Sequence, residues 1–208
     1  AGEAVARDAK RIHEVAARVA GLKQIDHMVT THWHSDHFGG VYGLSQLMPI
    51  RHVYANRPLP ETIADMQGTP FALMRSQYLK LVPKGPVILR PGDTVPMKQT
   101  AGQPALTVKC IASNQEVLKA QGAPNPACSK VQKAPLDPSE NLNSLVLMVH
   151  YGKFNFFDSG DLTRNMETKL VCPANIVGKV VLYQSGHHGL DQSNDPVLVE
   201  SLRPQVVV

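Results

Sequence analysis

The chain reads as an α/β domain on three observations. Residues 3 to 20 carry an amphipathic helical pattern, and residues 25 to 30 form a short apolar strand that empties into a histidine-rich turn. Residues 145 to 157 form a β-hairpin followed by further helix and strand. With 208 residues and 43% apolar content the chain can bury one sizeable core, so one domain spanning 1–208 is expected.

The elements follow in order. Val5, Ala9, Ile12, Val15, Ala16 and Val19 recur at helical spacing, and Gly21 is a natural stop. Ile25 to Thr30 is a buried strand, and His27 inside it reads as a packing residue. A helix runs from Gly40 to Leu47 before Pro49, and residues 51 to 55 form the next strand, with His52 structural. Pro58 to Val82 carries helical pieces broken at Gly68 and Pro70. Pro86 to Arg90 and Thr94 to Met97 read as a hairpin around Pro91-Gly92-Asp93, and Ala105 to Ala112 as a strand. Residues 114 to 139 are polar and proline-bearing, a long surface loop. Leu145 to Tyr151 and Phe154 to Phe157 pair around Gly152-Lys153. A helix over 163–171, a strand over 179–183, a helix over 195–202 and a strand over 205–208 complete the chain.

The chemistry concentrates in Thr31-His32-Trp33-His34-Ser35-Asp36-His37-Phe38-Gly39-Gly40. Three histidines and an aspartate fall within six residues. Side chains two apart in an extended segment point the same way, so His32 and His34 can grip one divalent ion. Asp36 and His37 follow where the chain turns and can reach a second. The helix after the glycines would point its free amides at a bound anion.

The remaining composition excludes some classes. No apolar run approaches the ~20 residues of a membrane-spanning helix, so no membrane contact is expected from this segment. Twenty-one basic against 17 acidic residues give a formal charge of +4, which tolerates an anionic substrate without demanding one. Aromatic residues make up 5%, and no basic stripe with interleaved aromatics tracks a single strand of nucleic acid. Cys110, Cys128 and Cys172 form no metal-knuckle spacing. Cys110 and Cys128 bracket the polar loop and are candidates for a disulfide, and the compartment stays open.

The loop at 31–40 resembles the signature THxHxDHxGG of the metallo-β-lactamase fold superfamily. That resemblance implies an αββα sandwich, here trimmed at both ends and lacking the N-terminal strands that precede the first long helix. It also implies that Asp26 is a structural or supporting acid, and that a strand ending in Gly-Asp supplies a metal-bridging carboxylate. Asp161 of Gly160-Asp161 matches that role, with Asp158 competing. The last metal histidine of the family follows a strand beside glycine. His187 of Gly186-His187-His188-Gly189 matches it, leaving His188 to meet substrate or donate a proton.

One departure narrows the branch. The family's further histidine between the loop and Gly-Asp is missing; His52 and His150 alone lie in that interval, His150 within a strand. In its place stand Asn141-Leu142-Asn143-Ser144, and with Gly160-Asp161-Leu162 and Gly186-His187-His188-Gly189 the order resembles the ComEC-like metallo-hydrolase branch. The resemblance implies two divalent ions, zinc foremost and manganese as the other candidate. His32 and His34 would hold the first, Asp36, His37 and His187 the second, and Asp161 would bridge. A metal-bound hydroxide would attack a phosphodiester, small or in nucleic acid, with His188, Asn143 and Ser144 orienting it. A β-lactam or thioester hydrolase is the competing expectation, and a non-catalytic metal module of a larger uptake protein a third. A flavodiiron-like oxidoreductase fits less, because that branch carries a carboxylate where His34 stands. The oligomeric state is left open.

Overall fold

The computed structural model describes residues 2–208, with side chains from Arg7 onward; the side chain of Val5, counted on the first helix's apolar face, lies outside the described residues. Two compact units divide the chain, residues 1–88 and 89–208.

The first unit is a parallel three-stranded sheet with its helical crossovers. Helix α1 (Gly2–Glu14) continues into a π turn (Val15–Val19), followed by β1 (Ile25–Thr30), α2 (Ser35–Phe38), α3 (Val41–Ser45), β2 (Ile50–Ala55), α4 (Phe71–Leu81) and β3 (Val87–Ile88). The strands pair in the order β1-β2-β3, both pairs parallel, so each connection has to cross over. The helix closes where expected: the Leu22 N–H reaches the Ala16 carbonyl at 2.9 Å while Gly21 takes φ +67°, a conformation cheap for glycine alone. Ala9 of α1 is buried with Leu44 and Met48. A second cluster gathers Trp33, Phe38, Phe71 and Tyr78, whose rings meet edge to face. His27 and His52 stack on paired strands with centroids 5.4 Å apart, and His27 Nδ1 lies 3.2 Å from the Tyr54 hydroxyl, as packing residues would.

The second unit is a mixed sheet. It contains β4 (Thr94–Val95), β5 (Leu106–Ser113), β6 (Glu116–Val117), β7 (Val146–Tyr151), β8 (Phe154–Asp158), α5 (Arg164–Val171), β9 (Leu182–Gln184), α6 (Pro196–Leu202) and β10 (Val206–Val207). The order is β10-β9-β8-β7-β5-β4, with β6 on β5. From β4 to β8 the pairs are antiparallel, and from β8 to β10 they are parallel, joined through α5 and α6. Val146, Phe157, Leu162, Leu170, Tyr183, Leu198 and Leu202 form its core. Asp195 caps α6 by accepting the Val197 N–H at 2.8 Å, with Pro196 at the first helical position.

Three expectations need correction. Residues 86–97 turn at Gly92 but do not pair with each other: Val87–Ile88 lies parallel to β2, whereas Thr94–Val95 lies antiparallel to β5. Two-residue segments carry too little pattern to choose a partner, and the neighbouring long strands choose for them. The strand expected at 179–183 begins at Leu182. The disulfide joins Cys128 to Cys172, and Cys110 is free, fully buried on β5, its thiol pushed up to about 12 by burial. Cys128 sits in a 3-10 turn (Pro126–Lys130) docked beside the end of α5, where Asn125 Nδ2 donates to the Val171 carbonyl and the Ser201 hydroxyl. No helix among the described residues is long and apolar enough to cross a membrane.

Candidate metal centre

In the first unit the histidine loop leaves β1 at Thr30, whose buried hydroxyl meets the Tyr78 hydroxyl at 3.1 Å. Trp33 is wholly buried in the aromatic cluster and pins the loop between the two histidines that flank it in sequence. His32 and His34 turn to each other, His32 Nε2 lying 3.1 Å from His34 Nδ1. His34 is the residue before α2, with extended backbone, and its carbonyl accepts the His37 N–H at 3.0 Å. That single helical turn brings the His37 ring to 4.1 Å from His32, centroid to centroid, and sets His37 Nε2 3.4 Å from Asp36 Oδ2. Thr31 Oγ1 lies 3.2 Å from His32 Nδ1 and 3.3 Å from His37 Nδ1, so one hydroxyl steadies two rings. Gly39 is required by space: a Cβ there would run into the Ser35 carbonyl and the Met74 sulfur. The structure therefore gathers His32, His34, Asp36 and His37, with Asp36 exposed and His32 buried. Asp26, by contrast, is exposed and accepts a bond from Gln24 Nε2.

In the second unit the β7–β8 hairpin ends in a tight turn. Asp158 Oδ1 accepts the Gly160 N–H at 2.9 Å, which makes Asp158 a turn-forming carboxylate. Asp161 is 3% exposed, and its N–H donates to the buried Ser144 hydroxyl at 3.2 Å. His188 Nε2 lies 3.4 Å and His187 Nε2 3.8 Å from Asp161 Oδ2. The two differ in exposure: the His188 side chain is 56% exposed and that of His187 13%. Asn141 Nδ2 lies 3.3 Å from His187 Nε2. Asn143 is held differently, donating to Glu140 Oε2 at 2.8 Å and accepting from Gln115 Nε2 at 2.9 Å. Ser144 acts here on the Asp161 backbone, and Asn141 lies beside His187.

The backbone of His187 and His188 is left-handed, with φ of 51° and 55°. Two successive non-glycine residues in this region cost on the order of 1 kcal/mol each or more, and something must hold them. The His187 N–H donates to the Gly160 carbonyl at 3.0 Å, tying this loop to the Gly-Asp turn. Asn194 clamps the preceding glycine: its Oδ1 accepts the Gly186 N–H at 2.9 Å and its Nδ2 donates to the Gly186 carbonyl at 3.0 Å. Glu167 on α5, wholly buried, accepts the N–H groups of Asn194 and Asp195 at 2.9 and 2.8 Å. Burial pushes its carboxyl up to about 7, against the pull of those amides. Sequence reading missed Glu167, Asn194 and Asp65, the last a carboxylate whose Oδ2 lies 2.9 Å from His34 Nε2. None of the three stands in a motif, and a buried glutamate in an amphipathic helix looks like any other polar position.

The donor sets suit divalent metal ions. Imidazole nitrogens facing one another at 3.1 Å across His32 and His34, and imidazoles beside a buried carboxylate at Asp161, are the ligand types that zinc and manganese take. Among the described residues, His187 Nδ1 and Asn141 Oδ1 are buried without a hydrogen-bond partner, so this second cluster still holds polar capacity that a ligand can use.

A family description, the metallo-beta-lactamase superfamily, matches residues 1–107. No curated protein matches the chain. Among solved structures it is similar to CmlA, a diiron beta-hydroxylase from Streptomyces venezuelae, at 16% identity and TM-score 0.48, over 92% of this chain and 36% of that one. It is also similar to a protein from Parabacteroides distasonis that carries the name of a metal-dependent hydrolase, at 11% identity and TM-score 0.46, over 89% of this chain and 65% of that one. The chain thus spans about a third of the length of CmlA and just under two thirds of the other. With the match covering half of its residues, including the whole histidine loop, the chain belongs to the metallo-beta-lactamase superfamily.

Proposed function

We propose that the protein is a metal-dependent hydrolase acting on a phosphodiester. The observation that carries the reading is the pair of imidazoles, His32 Nε2 and His34 Nδ1, facing each other at 3.1 Å within the HxHxDH loop. In this reading the metal ligands would be His32, His34, Asp36 and His37 of the first unit and Asp161 and His187 of the second, the set to which the family resemblance assigns two ions. Zinc is the first candidate and manganese the second, since an amide in place of the family's further histidine offers oxygen rather than nitrogen. When bound, such ions supply a nucleophilic water near neutral pH and neutralise charge on a phosphoryl oxygen. The chain's own residues do the rest. Thr31 steadies the rings of His32 and His37, Ser144 holds the turn that carries Asp161, and exposed His188 meets the substrate and protonates the leaving oxygen. Asn143 is the candidate for orienting the substrate.

Two observations support a phosphodiester over an acyl substrate. The order Asn141 to Leu147, Gly160-Asp161-Leu162 and Gly186 to Gly189 resembles the ComEC-like branch. Positive charge is also unevenly placed: residues 89 to 133 hold six Lys or Arg against two Asp or Glu, a balance equal to the +4 of the whole chain. Arg90, Lys109 and Lys119 line a groove of about 770 Å³ in this stretch, which draws an anion toward this unit.

The test is hydrolysis of bis(p-nitrophenyl) phosphate by metal-stripped protein reloaded with zinc or manganese, beside His34→Ala. Metal-dependent turnover that vanishes in the variant is expected. Metal binding without turnover would sink the phosphodiester reading, and β-lactam and thioester substrates would then be assayed.

A further inference from the structure

We propose that Asp65 is a positioning residue for the metal centre, setting the His34 ring so that Nδ1 is the nitrogen offered to the ion. The proposal rests on His34 being a ligand. Asp65 stands 31 residues after His34 and outside every motif, yet its Oδ2 lies 2.9 Å from His34 Nε2. An ionised carboxylate can only accept, so Nε2 carries the ring proton. In a neutral imidazole the other nitrogen then keeps its lone pair. That nitrogen, Nδ1, is the one facing His32 Nε2 at 3.1 Å.

Three further features agree. His34 occupies the cap position of α2 but makes no side-chain capping bond, so its ring is not spent on the helix end. Asp65 rides on a 3-10 turn (Ala64–Met66) whose flanks are set in the core: Ile63 and Met66 are buried, the Met66 N–H donates to the Ile63 carbonyl at 3.1 Å, and Thr69 Oγ1 donates to the Met66 carbonyl at 2.6 Å. The carboxylate is thus presented from a fixed turn rather than a free loop. Nε2 and Nδ1 leave the ring in diverging directions, so a carboxylate bonded to the first cannot share an ion held by the second. This makes Asp65 a support for the ligand and not a ligand itself.

The experiment uses the full chain with Asp65→Ala, Asp65→Asn and His34→Ala. Calorimetric titration of metal-stripped protein with Zn²⁺ and with Mn²⁺ reads affinity, and ¹⁵N-detected imidazole NMR of the metal-free protein reads the His34 tautomer. Asp65→Ala is expected to weaken the site that His34→Ala abolishes by about 10- to 100-fold and to turn His34 from the Nε2–H form to a mixture of tautomers. Asp65→Asn keeps an acceptor oxygen and is expected to retain most of both properties, which a loss of fold would not allow. Wild-type affinity together with an unchanged tautomer in Asp65→Ala would overturn the proposal. A wild-type chain that binds neither ion, or His34→Ala binding as tightly as wild type, would instead overturn the ligand reading beneath it.

Discussion

The histidine loop of residues 31–40 and the cluster around Asp161 present similar donors, but they are assembled differently. In the loop, His32, His34 and His37 are brought together within six residues, by an extended segment and one helical turn. Around Asp161 the bonds that tie the separate segments together are long in sequence: Ser144 to Asp161, Asn141 to His187, Gly160 to His187, Glu167 to Asn194. The first arrangement is anchored into the core at Trp33, and Asp65 meets one of its rings from outside the motif. The second needs a network, because its two histidines sit in left-handed backbone that nothing local favours. A short motif can therefore specify the first half, whereas the second depends on residues with no motif of their own.

Removing the anchor is the harshest way to break that contrast. Trp33→Ala empties a wholly buried site between Phe38 and Tyr78 and should cost about 3–5 kcal/mol, read as a lower urea midpoint. A midpoint that did not move would mean that the loop stands on its own local bonds.

The network is sharpened by pH. Glu167 has a folded pKa of about 7 against a reference of 4.5, so between those values the native state binds more protons than the unfolded one. Its contribution is therefore greatest below 4.5 and is lost as pH rises through 7. Stability of the wild type should fall across that window by on the order of 3 kcal/mol relative to Glu167→Gln, measured by urea denaturation at pH 5 and pH 8. Parallel pH dependence of the two proteins would remove Glu167 from this role.

The mildest change is Ser144→Ala. It leaves the buried Asp161 N–H without its hydroxyl acceptor at a cost of about 1–3 kcal/mol, visible as a small drop in thermal midpoint. An unchanged midpoint would show that another acceptor takes over, and that the turn is held by Gly160 and Asp158 alone.

Legibility followed the same division. The strand Ile25–Thr30, the hairpin of β7 and β8 and the capped α6 were plain from periodicity and turn residues, because each carries its pattern within a dozen positions. The two-residue strands at 87–88 and 94–95 were not, since their partners lie in different sheets. Cys128 chose Cys172 over Cys110 because Cys110 is sealed inside β5 while the 3-10 turn docks at the end of α5. Among the acids, spacing pointed to Asp36 and the family resemblance to Asp161, and contact alone disclosed Asp65 and Glu167.

Sequence by itself determined the α/β class, the family and the identity of the imidazoles facing one another in the histidine loop. Their positions follow from the backbone period of a strand end and one helical turn, which every residue of that stretch obeys. Tertiary structure alone decided which carboxylate supports His34, which hydroxyl holds the Asp161 turn and how the His187-His188 backbone is kept left-handed. Those choices depend on bonds between residues 17 to 46 positions apart, and a hydrogen bond of that reach leaves no periodicity in the chain.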